Sequence, residues 1–181
     1  MPRLPDLDPA DLTPEQQQVH DNITNGPRGG VRGPFNALMH HAGVAEHVQA
    51  MGINLRFDGV LPGRLRELAI LTAARFWTAE YEWSSHAPIA EKEGLSLAAI
   101  DAIAENRTPD FPNDDEKTVH AFCRELHGEH HVSDATYDAA VAVLGHEGVV
   151  ELTVLSGYYT IISMTLNTFQ VPSPEGAAKL A

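Results

Sequence analysis

Residues 62–77 (PGRLRELAILTAARFW) carry apolar side chains almost all the way round a helix: Leu65, Leu68, Ile70, Leu71, Ala73, Ala74, Phe76 and Trp77. A surface helix keeps a polar face, and one that is apolar on every side belongs in the middle of a fold. This helix therefore has to be wrapped by others. Glu67 lies on its Ile70, Leu71 and Ala74 face. A carboxylate in such a place needs a partner. Arg64, about one turn earlier, is one choice, which would make Glu67 purely structural. A group from another element is the alternative.

The rest of the chain also reads as helices. Residues 1–12, rich in proline and aspartate, read as a surface arm. Thr13-Pro14-Glu15-Gln16 is a helix start, with Thr13 as cap, Pro14 in the first turn and Gln16 closing a capping box. That helix should stop at Asn25-Gly26. The loop Gly26–Pro34 holds four glycines with Arg28 and Arg32, and lacks the spacing and ending of a phosphate-binding P-loop. Its arginines are either solvated charges on a connector or, for Arg32 in particular, a grip on a substrate carboxylate. Phe35–Phe57 reads as one or two helices with a break at Gly43 and a surface pair at His40-His41. After the central helix, a tight joint at Trp77–Thr78 leads to a helix capped by Thr78 and ended by Gly94. Ser96 caps a short helix to about Asn106. Asn113 with Glu116 starts another that runs to Gly128. Ser133 caps the next, ended by Gly145, and a last helix covers Gly148–Phe169 before Pro172 and Pro174. No stretch alternates apolar and polar residues as a strand does. The expected architecture is all-α, one domain of about eight helices.

Charge and cysteine usage narrow the function. With 12 basic against 25 acidic residues the chain carries −13. Nucleic acid and anionic membrane are poor partners for such a surface. A single cysteine, Cys123, permits no internal disulfide or redox pair. The first twelve residues contain no apolar core of signal-peptide length, so a cytoplasmic location is expected. Leu152–Phe169 has no formal charge, but its serines, threonines, glycine and asparagine suit a helix buried in protein better than one in lipid. A helix apolar on more than one face is either central to the monomer or packed on another subunit.

Two groups of residues bear on chemistry. Glu82 and His86 stand four apart on the helix after the joint, and so share a face. A carboxylate beside an imidazole orients the ring and raises its pKa, which makes an acid/base pair. The competing reading is a plain surface pair. Glu80, nearby, reads as a complement to the helix dipole. Tyr81 and Trp83 alternate with these residues as pocket walls or as core. His120, Cys123, His127 and His131 follow steps of three and four, with His130 adjacent, as metal ligands on a helix can. A helix break at Gly128 and the lack of a completing carboxylate leave them as a solvated helix end, with Cys123 in the core.

LPGRLRELAIL followed by EYEWSSHAPIAEKEGLS resembles the carboxymuconolactone decarboxylase family, within the alkylhydroperoxidase D-like superfamily. GPFNALMHHAGVAEHVQAMG and GVVELTVLSGYYTIISMTLNTFQVP extend the likeness over about residues 33–172. Residues 1–32 then form an N-terminal arm, helix and glycine-rich loop, and 173–181 a tail. The resemblance implies an all-helical fold and a homo-oligomer, a trimer or hexamer. It implies His86 as the catalytic histidine, Glu67 as the glutamate of the preceding helix, and no cofactor and no metal. In the redox branch two cysteines would stand at the positions of Ala79 and Glu82. Neither is cysteine here, so thiol peroxidase chemistry is not expected. The expected activity is acid/base chemistry on a small-molecule substrate, a carboxylated lactone or related carbonyl compound and so an anion. In it His86 protonates carbon, Glu82 holds the ring, Glu67 relays protons or polarises the carbonyl, Arg32 holds a carboxylate, and Tyr81 and Trp83 line the pocket. The rival from another class is a non-catalytic oligomeric binding or scaffold protein of the same fold.

Overall fold

The computed structural model describes residues 2–177, 179 and 180, so Met1 and the tail positions Ala178 and Ala181 lie outside the described residues. All regular structure among the described residues is helical. The α-helices are α1 (Pro14–Asn25), α2 (Pro34–Leu38), α3 (Ala42–Ile53), α4 (Gly63–Phe76), α5 (Glu80–Lys92), α6 (Leu97–Ala104), α7 (Asp114–Glu129) and α8 (Asp134–Phe169). A 3-10 turn at Pro9–Asp11 precedes α1, and a π-helical turn at Asn54–Asp58 follows α3.

These helices fall into two compact units. One comprises residues 1–59 with 164–172, the other 60–163 with 173–181. In the first unit the arm is tied to the end of α8, with Arg3 donating its backbone N–H to the Phe169 carbonyl at 2.9 Å and its guanidinium to the Thr168 carbonyl at 2.9 Å.

In the first unit α1 begins as its sequence dictates. The Thr13 hydroxyl accepts from the Gln16 N–H at 3.2 Å, and the Gln16 side chain accepts from the Thr13 N–H at 3.0 Å, closing the capping box. Val19 and Ile23 of α1 pack with Phe35, Met39, Ala42 and Ala45. The break expected at Gly43 lies instead at residues 39–41. There the His41 ring accepts from the Val44 N–H at 3.3 Å and caps α3, while His40 Nε2 lies 3.0 Å from the Pro5 carbonyl. A side chain able to cap sets this boundary, and the glycine does not.

In the second unit α4 is central, as its all-round apolar surface requires. Residues 67–74 are buried without exception, and α5, α6 and α7 pack on it. Each end is tied to α8. The Val60 and Leu61 N–H groups donate to Glu151 at 2.6 and 3.2 Å, and Trp77 Nε1 donates to Thr160 Oγ1 at 3.1 Å. The joint to α5 is as tight as expected, but Thr78 is not the cap. Thr78 takes a left-handed backbone (φ 48°), and Ala79 occupies the cap position without a side-chain bond. The turn consumes Thr78, whose N–H and that of Ala79 return to the carbonyls of Arg75 and Ala74.

Three further boundaries differ from expectation or refine it. Asn113 does not cap α7 with its side chain; its amide donates to Glu116 at 3.1 Å instead. Gly128 does not break α7, which runs to Glu129 and stops at His130 in the left-handed region (φ 60°). Helical glycine costs only about 1 kcal/mol relative to alanine, so it need not end a helix. Gly145 is non-helical (φ 68°) inside α8, so the expected stop is a kink between two helical stretches. By length and composition alone α8 could cross a membrane; it buries Leu152, Leu155, Tyr158, Tyr159, Ile162 and Leu166 and leaves Val150, Val154, Ile161 and Met164 exposed.

Candidate active site

The second unit brings Glu67 of α4 and Glu82 and His86 of α5 together. His86 Nδ1 lies 2.6 Å from Glu67 Oε2, and His86 Nε2 lies 3.0 Å from Glu82 Oε1. Each ring nitrogen thus faces a carboxylate. The Glu82 contact is local, made by the four-residue spacing within α5. The Glu67 contact is tertiary, made by packing α4 on α5. All three residues are buried, with 2 % exposure for Glu67, 3 % for His86 and 4 % for Glu82.

Arg64 is not the partner of Glu67. Its guanidinium donates to Asp115 at 2.8 Å and pairs with Glu116 of α7 at 2.5 Å. Three residues on a helix leave Arg64 and Glu67 only about 60° apart, and it is the bonds of Arg64 to α7 that direct it away from Glu67. Arg66 Nε lies 3.6 Å from Glu67 Oε1, a long contact beside the short one to His86.

Burial alone would push the imidazolium pKa down. Hydrogen bonds from Glu67 and Glu82, together with their negative charges, outweigh it and raise His86 from 6.5 to about 9. At neutral pH the ring is doubly protonated and donates through both nitrogens. This is the state that two flanking carboxylate acceptors demand.

Sequence reasoning missed Tyr159. It reaches the ring from α8, is buried, and places its hydroxyl 3.4 Å from His86 Nε2 with its ring edge-on to the imidazole at 5.2 Å. The only hint was its place in GYYTIIS, one of the segments that carry the resemblance. No spacing rule links residue 159 to residue 86.

The other candidates are distributed as follows. Trp83, expected as a pocket wall or core, is one of the largest fully buried side chains and stands in the core, on the inward face of α5. Tyr81 is half-buried in the first turn of α5, where its carbonyl accepts the Ser84 and Ser85 hydroxyls at 2.8 and 2.9 Å. Glu80 does more than complement the helix dipole, for it accepts the Leu180 N–H at 3.1 Å. Arg32 belongs to the first unit, is exposed, and donates to the Arg28 carbonyl. Every described partner of His86 comes from the second unit.

The histidine row on α7 forms no metal cluster among the described residues. His120 packs against the Phe111 ring at 5.3 Å, and burial with the nearby Arg124 charge lowers it to about 4. His127 stacks on Phe76 at 5.1 Å, and burial together with His130 lowers its pKa as well. Cys123 is buried 3.7 Å from the Ser156 hydroxyl, and burial raises its thiol to about 12. The three- and four-residue steps place these side chains on one helix, where each is taken up by a different neighbour.

Known proteins share this architecture. Residues 42–122 match the carboxymuconolactone decarboxylase family. The fold is similar to an alkylhydroperoxidase AhpD-core, peroxidase-related protein from Ralstonia eutropha JMP134, with a TM-score of 0.77 at 17 % identity over 96 % of this chain and 93 % of that one. It is also similar to a peroxidase-related protein from Silicibacter sp. TM1040 (TM-score 0.73, 12 % identity, 99 % and 96 % covered). A third similar structure is the debrominase Bmp8 in complex with 2,3,4-tribromopyrrole (TM-score 0.72, 15 % identity, 93 % and 90 % covered). No curated protein sequence matches the chain.

Proposed function

We propose, from the match of residues 42–122 to the carboxymuconolactone decarboxylase family, that the chain is a cofactor-independent acid/base enzyme. It acts on a small carboxylated lactone or a related carbonyl compound, by decarboxylation or by proton transfer next to the carbonyl. The observation that carries this reading is His86, buried and doubly protonated, with a carboxylate on each nitrogen.

In decarboxylation the C–C bond to the carboxylate breaks, carbon dioxide leaves, and the electron pair passes into the conjugated lactone carbonyl. A proton must then reach carbon. His86 supplies it from Nε2, and Glu82 holds that edge of the ring. Glu67 keeps Nδ1 protonated and the ring oriented, and the lost proton is regained at Nε2. Enclosure favours this, because a proton donor surrounded by protein holds its charge and orientation without solvent reorganisation. Tyr81 as a wall belongs to the same proposal. So does a homo-oligomer, a trimer or hexamer. It would cover the outer face of α8, where Val150, Val154, Ile161 and Met164 are exposed in the monomer.

Thiol peroxidase chemistry has no place in this reading. The chain has one cysteine, and Cys123 is buried with its thiol held protonated. A neighbour of the fold that holds a small halogenated ring supports a small planar ligand.

The near-complete burial of Glu67, Glu82 and His86 also supports a second reading. In it the three are a packing network of a non-catalytic oligomeric protein. One assay separates the two. Carbon dioxide release and proton exchange are followed on a panel of unsaturated lactone carboxylates, with wild type and with His86→Asn. An enzyme of the proposed kind turns over at least one member, and His86→Asn lowers the rate by about a hundredfold or more while far-ultraviolet circular dichroism is unchanged. Turnover retained in His86→Asn would sink the assignment of His86. No turnover of any panel member by wild type would favour the packing network.

A further inference from the structure

Resting on the acid/base reading, we propose that Tyr159 is the positioning residue that makes Nε2, rather than Nδ1, the nitrogen of His86 that releases its proton. The Tyr159 hydroxyl lies 3.4 Å from Nε2, against 3.0 Å for Glu82 Oε1 on the same nitrogen. While the ring is doubly protonated, its Nε2–H points to the nearer, charged acceptor, and the hydroxyl takes at most a weak share of it.

The situation reverses once the proton has left. The Nε2–H bond breaks as a C–H bond forms on the substrate, and the N–H electron pair stays on Nε2 as a lone pair. That lone pair now faces the Glu82 carboxylate, which can only accept. Two acceptors in contact with no hydrogen between them are unfavourable in a buried site. Tyr159 is the neutral group in reach that can donate, and its O–H turns to Nε2. On the other side the Glu67 carboxylate, 2.6 Å away, still requires a hydrogen on Nδ1. The two contacts together select one tautomer of the neutral ring. Among the described residues, the titratable and charged groups in contact with the ring or its partners are Glu67 and Arg66 of α4, Glu82 of α5, and Tyr159 of α8 with Tyr158 beside it, ring to ring at 5.3 Å. Of these, Tyr159 brings a hydroxyl donor to Nε2.

Tyr159→Phe keeps the edge-on ring contact and removes the donor. In the full chain, labelled with ¹⁵N-histidine and titrated by NMR, wild-type His86 should lose its Nε2 proton and keep Nδ1–H. Its neutral Nε2 should show the shift of a nitrogen that accepts a hydrogen bond. In Tyr159→Phe the midpoint should rise by about half a unit to one unit. With an active substrate the rate should fall by about tenfold. A wild-type ring that loses the Nδ1 proton instead, or a Tyr159→Phe midpoint that does not move, overturns the proposal. The wild-type tautomer needs no variant, so the test stands even if Tyr159→Phe fails to fold. Inactivity of the chain on every substrate would strike the acid/base reading and leave the tautomer result to be judged by itself.

Discussion

Arg64 and Glu116 form an ion pair at 2.5 Å between α4 and α7, and Glu116 is almost fully buried. This contact decides the chemistry of a residue it does not touch. With Arg64 turned toward Glu116 and Asp115, Glu67 is left to bond His86. The pair and the triad both begin on α4 but bond to different helices, and each can be probed without the other.

Removing Arg64 strands a buried carboxylate. Arg64→Ala should cost about 3 kcal/mol of stability, the range for breaking one side of a buried pair, read from urea unfolding at pH 7. The His86 titration should stay where it is. A loss under about 1 kcal/mol would mean that Glu116 is solvated and the pair is a surface one.

The two carboxylates hold His86 in its charged form, so neutralising either should release it. In Glu67→Gln and in Glu82→Gln the His86 midpoint should fall from about 9 by about a unit or more, since one pKa unit is about 1.4 kcal/mol of lost interaction. NMR of the ring nitrogens reads this directly. A midpoint unchanged in both variants would show that the carboxylates do not set it.

The same shift has a signature in stability. The folded pKa of His86 lies above its unfolded value, so the folded state keeps a proton that the unfolded state loses. The resulting stabilisation is complete below about 6.5 and disappears as pH rises through about 9. Across that window it amounts to about 3 kcal/mol. Urea unfolding at intervals from pH 6 to 10 should therefore show stability declining with rising pH, and His86→Asn should abolish most of the decline. Equal slopes in the two proteins would refute the linkage.

Cys123 should be silent. Its thiol, buried and raised to about 12, should react with a thiol reagent in the native protein at least about a hundredfold more slowly than in urea. Cys123→Ala should retain the turnover of wild type. Rapid native labelling, or peroxide reduction lost in Cys123→Ala, would reopen the thiol chemistry set aside above.

The sequence by itself determined whatever depends on spacing within one helix. The capping box of Thr13 and Gln16, the central position of α4 and the shared face of Glu82 and His86 all follow from a rise and turn that every α-helix obeys. The kink at Gly145 follows from a glycine in a backbone region that other residues avoid. Only the tertiary structure decided which helix face meets which. Glu67 had two candidate partners, and the rotation of α4 against α5 and α7 chose between them. Tyr159 lies 73 positions from His86 and enters the site because α8 packs there. His120, Cys123 and His127 looked like one ligand row, yet neighbouring aromatic rings and a serine took them singly. Contacts between helices depend on crossing and rotation, which are set by the packing of many side chains at once, and no local pattern encodes them.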